Sequence, residues 1–424
     1  MELGLKINTN KTKAMAIKCQ EPRNPLTIGD QPVEWVTTYK YLGVFIDKQL
    51  KFEEQVSYLR ERAKARLAPM RFMTSLKEGA KIEIQKLFYM ATTRSIIDYS
   101  APTLVNLTEQ QYAKLEVLQN NALRLMMGAP MWTRICNLQF EGNLPPLRTR
   151  IESRNIHIVA KALLADRPSI TKNKLRDDLN KHPEARRQNT YTAHVGNIIR
   201  KHNLQTELAA LKEDSFADGF KPTPWTTDYA KFNFTNLPSN KDSCDRATLV
   251  AAATAAIRKV EINNPYVIYT DGTVDPATGT AGTAVSSANF SACWRTSNKA
   301  STMQTELIAI REALLYTIAN ENGPVVIHCD SMSAVQALQQ VKIKENKNLI
   351  SKIHMLIQHH HNNERLITIN WIPSHIGIPG NEKADDLAKQ SRYMEHVQIA
   401  IQPSLQQIKN LTKNTGRETM IKKH

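Results

Sequence analysis

The rhythm of apolar and polar positions changes twice along the 424 residues, and each change marks a different kind of structure. The first fifty residues alternate in short bursts: "KAMAIK", "LTIGDQPVEWV" with a Gly29-Asp30 turn, and "YKYLGVFID" with a glycine inside it. Period-two runs broken by glycine predict short strands and hairpins. From Phe52 to about Met126 the spacing becomes helical. Val56, Leu59, Ala63 and Leu67 make one stripe, with Arg60, Arg62, Lys64 and Arg66 on the other faces and Arg71 just beyond. Thr108 and Gln111 have the spacing of a capping box, Leu115, Leu118, Ala122 and Leu125 continue the pattern, and Gly128 with Pro130 predicts its end.

Residues 166–260 carry weaker signals. "KPTPWTTDYAKFNFTNLPSN" reads as a linker or extended connector, followed by the alanine-rich helix "ATLVAAATAAIRKV". From Tyr266 the punctuation is regular again. "YVIYTDGT", "AGTAVSSA", "SACWRT", "GPVVIHCD" and "RLITINWIPSH" predict strands, while "MQTELIAIREALLYTIAN", "SMSAVQALQQ" and "NEKADDLAKQ" predict helices. Three strands followed by alternating helix and strand imply a mixed five-stranded α/β sheet with flanking helices. Ser404 and Gln407 mark a short helix in the tail. The predicted division is a β portion at 1–50, a helical region at 51–165, a connector at 166–260, an α/β domain at 261–393 and a tail at 394–424.

Charge adds a contrast between these regions. The net charge is +16, but residues 1–260 hold 40 Lys and Arg against 26 Asp and Glu, whereas 261–393 hold 11 against 12. A basic body beside a near-neutral domain suits a polyanion gripped by one part and processed by another. The five cysteines are scattered without a C-x-x-C pair, which argues against a disulfide framework or zinc ribbon. They suit a reducing compartment, cytoplasmic or nuclear, rather than secretion. No apolar run approaches the ~18 residues of a membrane span, so no membrane partner is expected. His359, His360 and His361 sit at a polar helix end and read as solvated, because metal sites need spaced ligands.

Four acids of the α/β domain fall at element edges. Asp271 and Asp330 each end an apolar strand, where open α/β sheets place ligands. At 100° per residue Glu306 lies on the flank of the Leu307–Leu314 stripe. Asp385 borders the face made by Ala384, Leu387 and Ala388, while Asp386 points nearly the opposite way. Singly, each acid also reads as a turn, a cap or a surface charge. Together they form a carboxylate cluster that is costly unless a cation neutralises it. Oxygen ligands without Cys or clustered His favour Mg²⁺ or Mn²⁺ over zinc. Two such ions ~4 Å apart suit in-line displacement at a phosphodiester.

"YTDGT", "TELIAIREAL", "HCDSMSAV" and "WIPSHIGIPGNEKADDLA" resemble, in that order, the four acidic motifs of type 1 ribonuclease H, over about residues 262–392. The resemblance implies an endonuclease that hydrolyses the RNA strand of an RNA–DNA hybrid, leaving 5′-phosphate and 3′-hydroxyl ends. It implies that Asp271, Glu306, Asp330 and Asp385 ligate two Mg²⁺ ions, or Mn²⁺, with Asp271 bridging them. His375 matches the loop histidine that assists proton transfer or product departure, and Gln304 would reach the minor groove of the hybrid, where 2′-hydroxyls distinguish RNA.

The stretch between the helix after Asp330 and "LITINW" is short and opens on Lys342, Lys344 and Lys347, less than the large basic protrusion of free-standing bacterial members. Hybrid binding is then expected of the basic region, with Arg60, Arg62, Lys64, Arg66 and Arg71 as the holding surface. "GLKINTNKTKAMAI" resembles the strand after the palm helix in reverse transcriptases of non-LTR retrotransposons. "YKYLGVFID" resembles the following primer-grip hairpin, and the helices to about residue 150 resemble thumb and connection. No Tyr-x-Asp-Asp or Phe-x-Asp-Asp occurs, and Asp177-Asp178 in "KLRDDLN" lacks that context. The chain thus reads as the C-terminal part of a larger element-encoded polyprotein, without a polymerase site of its own and partnered by upstream palm and fingers. The alternative is a catalytically inactive nucleic-acid-binding remnant.

Overall fold

A computed structural model describes residues 7–423 apart from 22–24, 75–78, 167–169, 181–189, 221, 240 and 321–322. The chain divides into two compact units, one made of 1–159, 174–205 and 410–424, the other of 160–173 and 206–409.

In the first unit the early alternation folds into small β pieces. Lys13–Ala14 pairs with Glu34–Trp35, Thr27–Ile28 with Gln31–Pro32, and Thr38–Tyr41 with Val44–Asp47. The last pair is a hairpin turned by Leu42 and Gly43, both at positive φ, the backbone form that matches strand twist in two-residue turns. Helix α1, Glu53–Leu67, buries Val56, Leu59, Ala63 and Leu67, the stripe read from the sequence. Val56, Leu59 and Ala63 share a core with Ile97, Leu104, Leu115 and Leu118, while Leu67 packs with Met70, Tyr89 and Leu123. Helix α2, Glu109–Met127, starts in a reciprocal cap. Thr108 Oγ1 accepts from the Gln111 N–H at 3.3 Å, and Gln111 Oε1 accepts from the Thr108 N–H at 2.8 Å. Gly128 at φ +60° ends it. Helices α3, Leu147–Leu164, and α4, Tyr191–Lys201, follow.

The second unit is built on a six-stranded mixed sheet. Its strands are β1, Ala230–Phe234; β2, Tyr266–Val274; β3, Ala281–Ser287; β4, Ser291–Thr296; β5, Val325–Cys329; and β6, Ile367–Trp371. The order is β4-β3-β2-β5-β6-β1, antiparallel from β4 to β2 and parallel from β2 to β1. The helices are α5, Arg246–Val260; α6, Thr302–Asn320; α7, Met332–Gln339; α8, Lys347–Asn362; and α9, Pro379–Ser391. Helix α10, Leu405–Lys423, opens on the Ser404–Gln407 cap and runs for 19 residues, longer than the short helix expected.

The sheet exceeds the expected five strands by one. Strand β1 comes from the stretch read as a connector, and pairs in register with β6 from Ala230↔Ile367 to Phe234↔Trp371. Ala230, Phe232 and Phe234 pack on the main core, while Lys231 and Asn233 alternate between them. That alternation was legible, but five residues among prolines and threonines give it little weight against the linker reading.

Two glycines let helices reach the strand backbones. A Cβ at Gly272 would sit 2.3 Å from the Glu306 backbone N, so α6 lies directly against β2. A Cβ at Gly282 would sit 2.6 Å from the Ala388 carbonyl, which seats the end of α9 against β3. Gly282 is paired with Thr273, and side chains at 272 and 273 point to opposite faces. Helices α6 and α9 therefore cover opposite faces of the sheet. β3, β5 and β6 are buried along their whole length, as strands covered on both sides must be.

Candidate active site

The β2–β5 register explains why two acids meet. Thr270 is paired with Cys329, so Asp271 and Asp330 each follow the last pair of neighbouring parallel strands. Glu306, in the second turn of α6, is carried to the same place by the close approach at Gly272. One carboxylate oxygen from each of Asp271, Glu306 and Asp330 lies within 4.8 Å of the others.

These three acids sit in an environment that resists their ionisation. Burial, then the charges of Asp330 and Asp385, pushes Asp271 up to about 8. Burial, then Asp271 and Asp330, pushes Glu306 well above the usual carboxylate range. Asp330 is raised mainly by burial, opposed by the Asn381 amide, which donates to its Oδ2 at 3.1 Å. The Trp371 indole N–H donates to the Asp330 carbonyl at 3.0 Å and fixes the backbone there. Asp271 Oδ2 is buried without a hydrogen-bond partner. A buried carboxyl oxygen left open, beside two further carboxyl groups whose ionisation a cation would favour, is a receptor for a hard cation.

Asp385 is placed differently from the other three. It is buried on α9, but its Oδ2 accepts from Lys389 Nζ at 2.6 Å. His375 Nδ1 is 3.8 Å from the same oxygen, with the His375 side chain 68% exposed in a left-handed loop position. Glu382 joins His375 and Asp385 in a second group of ligand atoms within 4.8 Å, and its carboxylate accepts from the Gly377 N–H at 3.0 Å. The charge of Asp385 still raises both Asp271 and Asp330, so the two groups sense each other. Asp386 is exposed on the outer face, as its helical angle requires. Asn381, Glu382 and Lys389 escaped the sequence reading. Their signal was spacing from Asp385 on one helix: four before, three before and four after.

Gln304 is not offered to a nucleic-acid groove. It is 2% exposed; its amide donates to Asn346 Oδ1 and the Gln402 carbonyl, each at 3.0 Å, and its Oε1 accepts from the Ser301 N–H at 3.1 Å. It caps α6 from the buried side, and this corrects the expected groove contact. Of the basic residues on and after α1, Arg62, Lys64 and Arg71 are exposed, and Arg60 is half-buried. Arg66 is also half-buried and donates to the Thr92 carbonyl, which ties it to the unit's interior. Arg71 lines a cavity of about 920 Å³ together with Lys81 and Arg124. The histidine run diverges: His361 stacks on Tyr229 with ring centroids 4.4 Å apart, while His360 is fully buried near Thr317 and the Leu314 carbonyl. His360 is therefore a core residue, not a solvated one.

A six-stranded mixed sheet with carboxylates gathered at adjacent strand ends defines a nuclease-like α/β domain, and residues 263–393 match the ribonuclease H family. This part of the chain is a ribonuclease H domain. The chain is also similar to RNA-directed DNA polymerases of non-LTR retrotransposons. It is 24% identical over 177 residues to a probable RNA-directed DNA polymerase from transposon BS of Drosophila melanogaster, covering 39% of this chain and 20% of that protein. It is 22% identical over 187 residues to one from transposon X-element of the same species, covering 44% and 20%. With the RNA-directed DNA polymerase from mobile element jockey of Drosophila funebris it shares 22% over 126 residues, covering 30% and 14%. The aligned part is at most about a fifth of these relatives' length.

Proposed function

We propose that the ribonuclease H domain hydrolyses the RNA strand of an RNA–DNA hybrid with Mg²⁺ or Mn²⁺, within a retrotransposon reverse transcriptase. The observation that carries this is the set of three carboxylates within 4.8 Å, two buried and Asp330 half-buried, with Asp271 Oδ2 unpartnered. Asp271, Glu306 and Asp330 would hold one divalent cation, and Asp385, close enough to raise Asp271, would share in a second. Such ions, when bound, lower the pKa of the attacking water and offset charge developing on the phosphodiester.

The chain's own groups orient and move protons. Asn381 turns the Asp330 carboxylate toward the site. His375, on an exposed loop 3.8 Å from Asp385, would carry a proton to or from the cleaved ester oxygen. An enzyme that copies RNA into DNA leaves an RNA–DNA hybrid, so hybrid removal fits beside the polymerase activity named for the relatives. The exposed cations Arg62, Lys64 and Arg71 are the proposed contacts to the hybrid's phosphates.

The test is cleavage of an end-labelled hybrid by the full chain in Mg²⁺. RNA is expected to be cut and DNA left intact. Asp271→Asn and Asp385→Asn should each lower the rate by about 10²-fold or more. Asp386→Asn, on the outer face, should stay within about threefold of wild type. An inert wild type, or an Asp271→Asn variant as fast as wild type, overturns the reading.

A further inference from the structure

The four acids do not share one electrostatic situation. Among the described residues, no Lys, Arg or His forms an ion pair with Asp271, Glu306 or Asp330, whereas Asp385 already carries one. Lys389, one helical turn on along α9, holds Asp385 Oδ2 at 2.6 Å, and the carboxylate is only 8% exposed while the lysine is 46% exposed. The lysine thus reaches a buried carboxylate on a long, flexible stem that remains free to swing into water. His375 Nδ1 lies 3.8 Å from the same oxygen, so a cation that binds Asp385 through Oδ2 meets an oxygen already paired.

We propose that Lys389 is a built-in competitor for the Asp385 carboxylate and divides cation loading of the site into two unequal steps. The inference rests on the cation-binding reading given above. The trio, with two buried acids and a half-buried one, has no ion-paired cation among the described residues, so it fills first. A second cation at Asp385 must displace an ammonium ion that is already paired and hydrogen-bonded, and so binds more weakly. Lys389 is a positioning residue here: it sets the occupancy of its partner carboxylate and touches no reacting atom. A half-exposed lysine on a helix surface can be replaced without opening a cavity.

The experiment is a Mn²⁺ titration of the full chain without nucleic acid, with free Mn²⁺ followed by electron paramagnetic resonance. Wild type is expected to take up one tight and one weaker ion. In Lys389→Gln the weaker step should tighten by roughly fivefold, the gain expected for removing one such ion pair, with the tight step within about twofold. Lys389→Arg should behave as wild type, and Asp385→Asn should lose the weaker step. A Lys389→Gln isotherm that superimposes on wild type, or is weaker, overturns the competitor role while leaving the cation site intact. Absence of tight Mn²⁺ uptake by wild type would instead overturn the cation-site reading itself.

Discussion

Asp271 shows how one residue carries both stability and chemistry. Its carboxyl is pushed up to about 8 by burial and by its acidic neighbours, so the folded state holds a proton that the unfolded chain releases near pH 4. A raised carboxyl stabilises the fold fully below that unfolded value, and this contribution is lost as pH rises through about 8. In cation-free solution Asp271→Asn should therefore raise Tm by roughly 5 °C at pH 8 and by clearly less at pH 5. A gain that does not grow with pH would mean that the carboxylate is compensated in some other way. The site itself was partly legible at this scale. Helical angle separated Asp385 from Asp386, and their burial agrees. Gln304 was misjudged because its two amide acceptors, Asn346 and the Gln402 carbonyl, lie 42 and 98 residues away.

Elements were legible where local rules act alone. The Thr108–Gln111 cap and the α1 stripe need only the residues they contain, and both are present as read. Strand β1 is the counter-case. Its five residues become a strand because β6 offers an open edge and the core offers room for Phe232 and Phe234. Phe232→Ala should accordingly lower the stability of the second unit by about 2 kcal/mol, since a half-buried ring loses part of its transfer energy. Calorimetry of the full chain checks this: an unchanged second-unit transition would make β1 an ornament of the sheet.

At the scale of the whole molecule, the division of charge is the governing feature. The near-neutral ribonuclease H domain has the acids, and the excess of Lys and Arg lies in residues 1–260. If that excess holds the hybrid, affinity should fall steeply with salt. The triple change of Arg62, Lys64 and Arg71 to Ala should then reduce the slope of log K against log[salt] by about 2 to 3. A slope equal to wild type, measured by fluorescence anisotropy across 50–200 mM salt, would remove this surface from hybrid binding.

The sequence by itself laid out the five strands of 266–371, three of the four helices of 302–391, the four acids at their edges and the uneven charge, because each is written in local periodicity or composition; helix α8, Lys347–Asn362, was not among the predicted elements. Tertiary structure alone decided which acids meet. Strand register set Asp271 beside Asp330, and the missing Cβ of Gly272 brought Glu306 to them. The physical reason is range: propensity acts over a few residues, while the mutual repulsion of buried carboxylates depends on distances that only packing fixes.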